Sequence, residues 1–177
     1  MTSRNRKFKP RHAPPRPSRL TVAQSVDFSR SLLAAGKFAD AEKVLDSLVA
    51  ASPDHADVLH LMGALRNLQG RSTEALVLLE RAVLLMPDEP ARLNDIGIVF
   101  VKLKRVSDAV ASFERCVALS AGNPLLAARA HENIGRLQLK DDALGAERSF
   151  RLATELAPKF AFDESALPKA HTSRGRI

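Results

Sequence analysis

Five histidines (His12, His55, His60, His131 and His171), one cysteine (Cys116) and the pair Asp141-Asp142 are the side chains of this 177-residue sequence best suited to metal binding, nucleophilic attack or proton transfer. Their spacing argues against all three. No histidine stands three to five residues from another histidine or a cysteine in a metal-type pair, apart from His55 and His60. Those two straddle an expected helix start and have no thiol or acidic partner to complete a site. The lone Cys116 can form neither an internal disulfide nor a zinc site by itself. It reads as a buried, reduced thiol. Asp141-Asp142, next to Lys140, reads as a turn and helix cap rather than as an acid–base pair. There is no glycine-rich phosphate loop, nucleophile elbow or ordered triad. No catalytic residue, cofactor or metal is expected, and the sequence is read as that of a non-enzyme.

The elements that carry these residues show a period of 34. Phe28, Met62 and Ile96 are separated by that step, as are Ser29, Gly63 and Gly97, and Ala41, Ala75 and Ala109. Leu45, Leu79 and Phe113 keep it too, followed by Leu48, Ala82 and Cys116, then by Gly36 with Gly70 and Pro53 with Pro87. Cys116 therefore falls where the repeat calls for a small packed residue. Within each unit, apolar residues recur at helical spacing, as in Leu59, Met62, Leu65 and then Leu76, Leu79, Val83. Gly70 separates two such stretches, where a left-handed turn is required. Lys104 at the matching site should cost about 1–2 kcal/mol relative to glycine if the geometry is kept. Thr21 and Gln24 fit a capping box. Asp54, Asp88 and Asn123 are expected to cap the next three first helices, with Pro124 at the first helical position. Pro87 and Pro158 should end second helices.

These residues resemble the tetratricopeptide repeat family. Its pattern pairs an apolar with a small residue in the first helix (Met62-Gly63, Ile96-Gly97). A small and then a large residue follow in the second (Ala75 and Leu79, Ala109 and Phe113), with a closing proline (Pro87). The resemblance implies an all-α fold, a right-handed α-solenoid of about four helix-turn-helix units and eight helices, with flexible N- and C-terminal tails. Units are expected at 22–55, 56–89, 90–123 and 128–160, within a solenoid spanning 21–158. The fourth departs from register. Ile134-Gly135 follows Ile96-Gly97 by the period plus four, read as an insertion around Gly122-Asn123-Pro124. Ala146, Phe150, Ala153 and Pro158 then come one residue early, read as a shorter inner turn. Ser29 replaces glycine in the first unit and Ala121 replaces the closing proline in the third.

Net positive charge is confined to the ends. The net +7 corresponds to seven basic and no acidic residues within 1–20, a net +2 over 159–177, and a net −2 for the body between them. Residues 1–20, with four prolines, read as a disordered basic arm, either simply solubilising or able to touch RNA, ribosome or acidic lipid. The prolines argue against an organelle transit peptide. Residues 159–177 read as a tail with a partial helix. The last helix pair, around Phe150 and Leu152, is expected to leave an apolar face that needs a partner, self-association or a further domain. No run of 18 apolar residues occurs and the N-terminus is not a secretory signal, so a cytoplasmic protein is expected.

In the family the first helices line a concave face. The resemblance therefore assigns a partner-binding groove to Asp27 and Arg30 of unit one and to His60 and Asn67 of unit two. Asn94, Asp95 and Lys102 come from unit three, and Asn133, Arg136 and Lys140 from unit four, with Asp57 and Arg129 nearby. A ligand of both charge signs, its acidic part near unit four, is expected. The leading expectation is a non-enzymatic scaffold or adaptor for a protein or peptide. Two others stand beside it: the regulatory segment of a transferase or hydroxylase, and an RNA- or ribosome-associated protein using the arm.

Overall fold

A computed structural model describes residues 20–159. The expectations for the arm, for most of the C-terminal tail and for their charges lie outside the described residues. Eight helices follow one another: α1 Val22–Ala34, α2 Phe38–Ala51, α3 Ala56–Leu68, α4 Ser72–Leu85, α5 Pro90–Lys102, α6 Val106–Leu119, α7 Pro124–Gln138 and α8 Ala143–Leu156. No strand occurs among the described residues. Each helix packs on the next, and the tightest pairs are α3 with α4, α5 with α6 and α7 with α8. First helices also pack on one another, α1 on α3, α3 on α5 and α5 on α7, whereas second helices pack on one another less closely than that. An array whose first helices crowd together while its second helices splay is an α-solenoid with the first helices as its inner layer.

Close approach within each pair comes from the small residues. A β-carbon on Gly63 would lie 2.7 Å from Leu79 Cγ, and one on Gly97 would lie 2.6 Å from the Phe113 ring. Gly135 meets Phe150 in the same way at 3.0 Å. Ser29 fills the equivalent place in unit one, fully buried, its hydroxyl donating to the Ser25 carbonyl at 2.8 Å. Ala75, Ala109, Leu79, Phe113 and Cys116 are all fully buried. Phe28, in register with buried Met62 and Ile96, is half exposed, because no described helix precedes α1 to cover it.

The first three inner turns share one bonding pattern. Gly36 (φ 70°), Gly70 (φ 78°) and Lys104 (φ 60°) all adopt the left-handed conformation. Their N–H groups donate three residues back, to Leu33, Asn67 and Val101. The next N–H groups, of Lys37, Arg71 and Arg105, donate five residues back, to Leu32, Arg66 and Phe100. This is the Schellman arrangement that satisfies the last helical carbonyls. Lys104 thus keeps the glycine geometry despite its side chain.

Two expectations for unit four are corrected. The loop before α7 is not lengthened. The stretch 120–123 matches 52–55 and 86–89 in length, and α7 starts at Pro124, one repeat period after α5 starts at Pro90. The extra turn lies inside α7, between Pro124 and Ile134. One added helical turn returns the side chains to nearly the same face, so Ile134-Gly135 still meets Phe150. The inner turn of this unit is longer, not shorter: the stretch 139–142 replaces the shorter connectors 35–37, 69–71 and 103–105 of the other units. The missing residue comes from α7, which ends at Gln138, closer to Gly135 than Leu68 at the end of α3 is to Gly63.

Capping also differs in part. Thr21 and Gln24 form the capping box, the Thr21 N–H donating to Gln24 Oε1 at 2.9 Å and the Gln24 N–H to Thr21 Oγ1 at 3.2 Å. Asn123 caps α7, accepting from Leu126 N–H at 3.1 Å with Pro124 next in line. Asp54 and Asp88 do not cap. The cap positions are His55 and Glu89, with no side-chain bond to the helix. Asp54 instead pairs with Arg81, and Asp88 with Arg115 at 3.3 Å. The second pair repeats the first one period later, and each fastens an interunit loop to the following second helix. Pro87 and Pro158 stand just beyond the ends of α4 and α8. The third unit stops at the same place without a proline, where Ser120 Oγ donates to the Cys116 carbonyl at 2.7 Å.

Candidate functional site

The inner layer carries the residues assigned to a groove, and the structure divides them into three groups. In unit one, Asp27 and Arg30 are exposed and lie 3.7 Å apart on successive turns of α1. With Val26, His55 and Asp57 they line a hollow of about 220 Å³ between α1 and α3.

In units two and three the side chains are bonded to one another. His60 Nε2 lies 2.8 Å from Asp95 Oδ2. Lys102 Nζ donates to the Asn67 carbonyl at 3.0 Å. Arg92 Nη2 donates to Asp57 Oδ1 at 2.5 Å. All three links run from α3 to α5 at the same sequence separation, and they form a polar seam along the inner layer. Asn94 is buried rather than presented, its amide donating to Asp95 Oδ1 at 3.3 Å and its Oδ1 left without a partner.

In unit four, Arg136 donates to Glu132 at 2.8 Å, one turn earlier on the same helix. Asn133 is partly exposed. Lys140 stands exposed in the α7–α8 connector rather than on α7.

Arg92 was not among the residues singled out from the sequence. It is only 2% exposed, and its Nε and Nη1 are buried with no hydrogen-bond partner. A signal for it existed: Val58 occupies the same position one period earlier, so Arg92 breaks an apolar site. A second cluster lies around Arg66 on the other side of α3. Its guanidinium donates to Glu42 and lies 3.9–4.0 Å from Asp46 and Glu74, while Arg71 holds Glu74 at 2.6 Å. The hydrogen bonds from Arg66 and Gln69 hold the Glu42 carboxyl below its ordinary range. The bond from Arg71 does the same for Glu74.

The chemistry-bearing residues have structural surroundings. Burial pushes the Cys116 thiol up, away from the reactive thiolate, with Ser120 Oγ 3.8 Å away. Asp142 caps α8 by accepting from Gly145 N–H at 2.9 Å, as its place in the turn suggested. His131 is held below its ordinary pKa by burial. Among the described residues, no three His, Cys, Asp or Glu side chains are grouped to hold a metal ion, and no helix is long and apolar enough to cross a membrane. Phe150 is buried against Gly135, so it forms no part of an exposed end face; Leu152 and Leu144 remain exposed.

Stacked helical hairpins with a crowded inner layer define the class of helical repeat proteins, whose surface for recognition is that layer. Comparison with known proteins sharpens this: the sequence profile of the tetratricopeptide repeat matches residues 32–96. Those residues, from the end of α1 to the middle of α5, are tetratricopeptide repeats. Solved structures share the fold across the described helices. MamA (residues 41 to the end) from Desulfovibrio magneticus RS-1 aligns with a TM-score of 0.66 at 20% identity, covering 77% of this chain and 75% of that one. PilF of Pseudomonas aeruginosa aligns at 0.72 and 17% identity over 78% of this chain, which spans 62% of PilF. The Yersinia enterocolitica type III secretion translocator chaperone SycD aligns at 0.62 and 19% identity over 68% of this chain and 94% of that one. At these identities the likeness is one of fold. No curated protein sequence matches the chain.

Proposed function

We propose that this protein is a non-enzymatic adaptor that holds a protein or peptide along its inner layer, with the acidic part of the ligand against unit four. The observation that carries this reading is the uneven use of inner-layer charge. Across α3 and α5, Asp57, His60, Asp95 and Lys102 are engaged in bonds within the chain. Arg129 and Lys140 have no ion-pair partner among the described residues. A ligand meeting this surface finds a neutral centre and an open cationic end. Desolvating such cations is favourable only when a carboxylate replaces the lost water, which selects acidic segments. The tetratricopeptide fold supports a protein ligand, and one of its structural relatives is a translocator chaperone.

The test is capture of partners by the wild-type chain beside Arg129→Glu/Lys140→Glu, with Lys43→Glu on the opposite layer as control. A partner of this groove should bind the double variant at least about tenfold more weakly and the control unchanged. Equal binding by all three removes the groove reading.

A further inference from the structure

The outer layer of unit two departs from that of its neighbours. Val77 and Leu84 stand two turns apart on one face of α4, 65% and 81% exposed. The residues in register with Val77 are Lys43, Ala111 and Arg148, and those in register with Leu84 are Ala50, Ala118 and Glu155. Every other unit therefore puts a charge or a single methyl where α4 puts a branched apolar side chain into water. Leu85 and Met86, both about half exposed, continue the strip at the end of the helix. Water covers such a strip at a cost that burial against a partner removes.

Charge indicates which partner. Glu80 and Arg81 lie between Val77 and Leu84 in the chain. At about 100° per residue they fall on opposite sides of the line joining those two, each about 50° from it. Glu80 is exposed and forms no ion pair among the described residues. Arg81 is half exposed and bonds Asp54 through Nη2, which leaves its other guanidinium N–H groups for a second carboxylate. A two-fold axis running along the helix would set Val77 on its counterpart in a second copy, and Leu84 on its own. The Glu80 side of each copy would then face the Arg81 side of the other, in two equivalent ion pairs. An axis running across the helix would instead oppose glutamate to glutamate and arginine to arginine. The surface is thus complementary to itself in one orientation and repels itself in the other.

We propose that the outer face of α4 is a homodimer interface. Two chains pair through parallel α4 helices, with Val77 and Leu84 at the centre and reciprocal Glu80–Arg81 contacts at the sides. Exposed ion pairs contribute little energy, so apolar burial drives the association and the charges choose its orientation. A contact of one helix on one helix lies at the small end of specific interfaces, and the dimer forms in the micromolar range. The inner layer lies on the other side of each chain, so a dimer carries two of them, turned away from each other.

Sedimentation velocity of the full chain from about 5 to 200 µM should show a monomer–dimer equilibrium. Val77→Ser/Leu84→Ser should weaken it at least about tenfold, and Leu144→Ser, a comparably exposed leucine on α8, should leave it unchanged. Glu80→Arg and Arg81→Glu should each weaken self-association. Mixed in equal amounts, those two variants should pair as a heterodimer, because both contacts then join opposite charges. Under mild oxidation Val77→Cys and Leu84→Cys should each cross-link to itself, whereas wild type, with Cys116 fully buried, should not. A chain that stays monomeric throughout, a dimer indifferent to the Val77/Leu84 variant, or a mixture no more associated than its components overturns the proposal. Cross-links that form only between Val77→Cys and Leu84→Cys chains overturn the parallel arrangement. None of these outcomes bears on Arg129 and Lys140, so this interface and the groove stand or fall separately.

Discussion

Single residues in this chain show where a repeat pattern tolerates a misfit. Lys104 holds φ 60° in a turn its counterparts fill with glycine. Lys104→Gly should therefore raise stability by about 1 kcal/mol in urea denaturation, since the left-handed strain outweighs the extra freedom glycine gives the unfolded chain. That misfit was legible in the sequence because the period fixed the geometry the lysine had to adopt. Arg92 was not, because periodicity records which positions are apolar but not which charged residue can bend back to a carboxylate one unit away. With two guanidinium nitrogens buried and unpaired, Arg92 contributes little net stability. Arg92→Met should leave the unfolding free energy within about 1 kcal/mol of wild type, while Arg92→Ala, which opens a void, should cost about 2 kcal/mol or more. His131 gives a pH signature. Its folded pKa is depressed by burial, so the unfolded chain binds the proton more readily. Stability from this group is complete above its unfolded pKa of about 6.5 and is lost as pH falls through the lower folded value. His131→Gln should flatten that part of a melting-temperature profile. A profile identical to wild type between about pH 7 and 5 would sink the assignment.

At the level of helices, the small-against-large contact is the unit of assembly. Gly97→Ala drives a β-carbon into the Phe113 ring and should cost about 1–3 kcal/mol in chemical denaturation, with Phe113→Leu in the same chain recovering part of it. The helix pairing, the three Schellman turns and the Thr21–Gln24 box could all be read from residue type and spacing. The caps of α3 and α5 could not. Asp54 and Asp88 have the right chemistry one residue too early, and each is drawn to an arginine on the following second helix, an interunit contact invisible to local pattern. Unit four departs from its sequence expectation for a related reason. Counting from Ile96-Gly97 to Ile134-Gly135 gives the size of the insertion but not its place, and a helix can absorb four residues as a turn where a loop would have to bulge.

For the whole molecule, the α-solenoid and its charge grading go together. Residues 22–89 carry ten carboxylates against six lysines and arginines, and residues 90–159 carry eight against eleven. The polar residues of the inner layer were legible as a list and not as a set. The sequence placed His60 and Asp95 on the same layer, yet only the stacking of α3 on α5 reveals that they satisfy each other. The seam and the shared core of units two to four, which includes Leu79, Ile96, Phe113 and Ile134, tie the middle of the array together. Amide hydrogen exchange should accordingly be slowest in α3–α6 and faster in α1 and α8. Uniform protection across all eight helices would contradict this.

The added turn of α7 has a consequence for how such an array can change size. Four residues advance a helix by about 6 Å and rotate it some 40° past a full circle, so a buried stripe stays within reach of its old neighbours. One or two residues would swing the stripe by about 100° or 200° and turn Ile134 toward water. Length at this point is therefore quantised: duplications or deletions near a whole number of turns are survivable, and the intermediate ones are not.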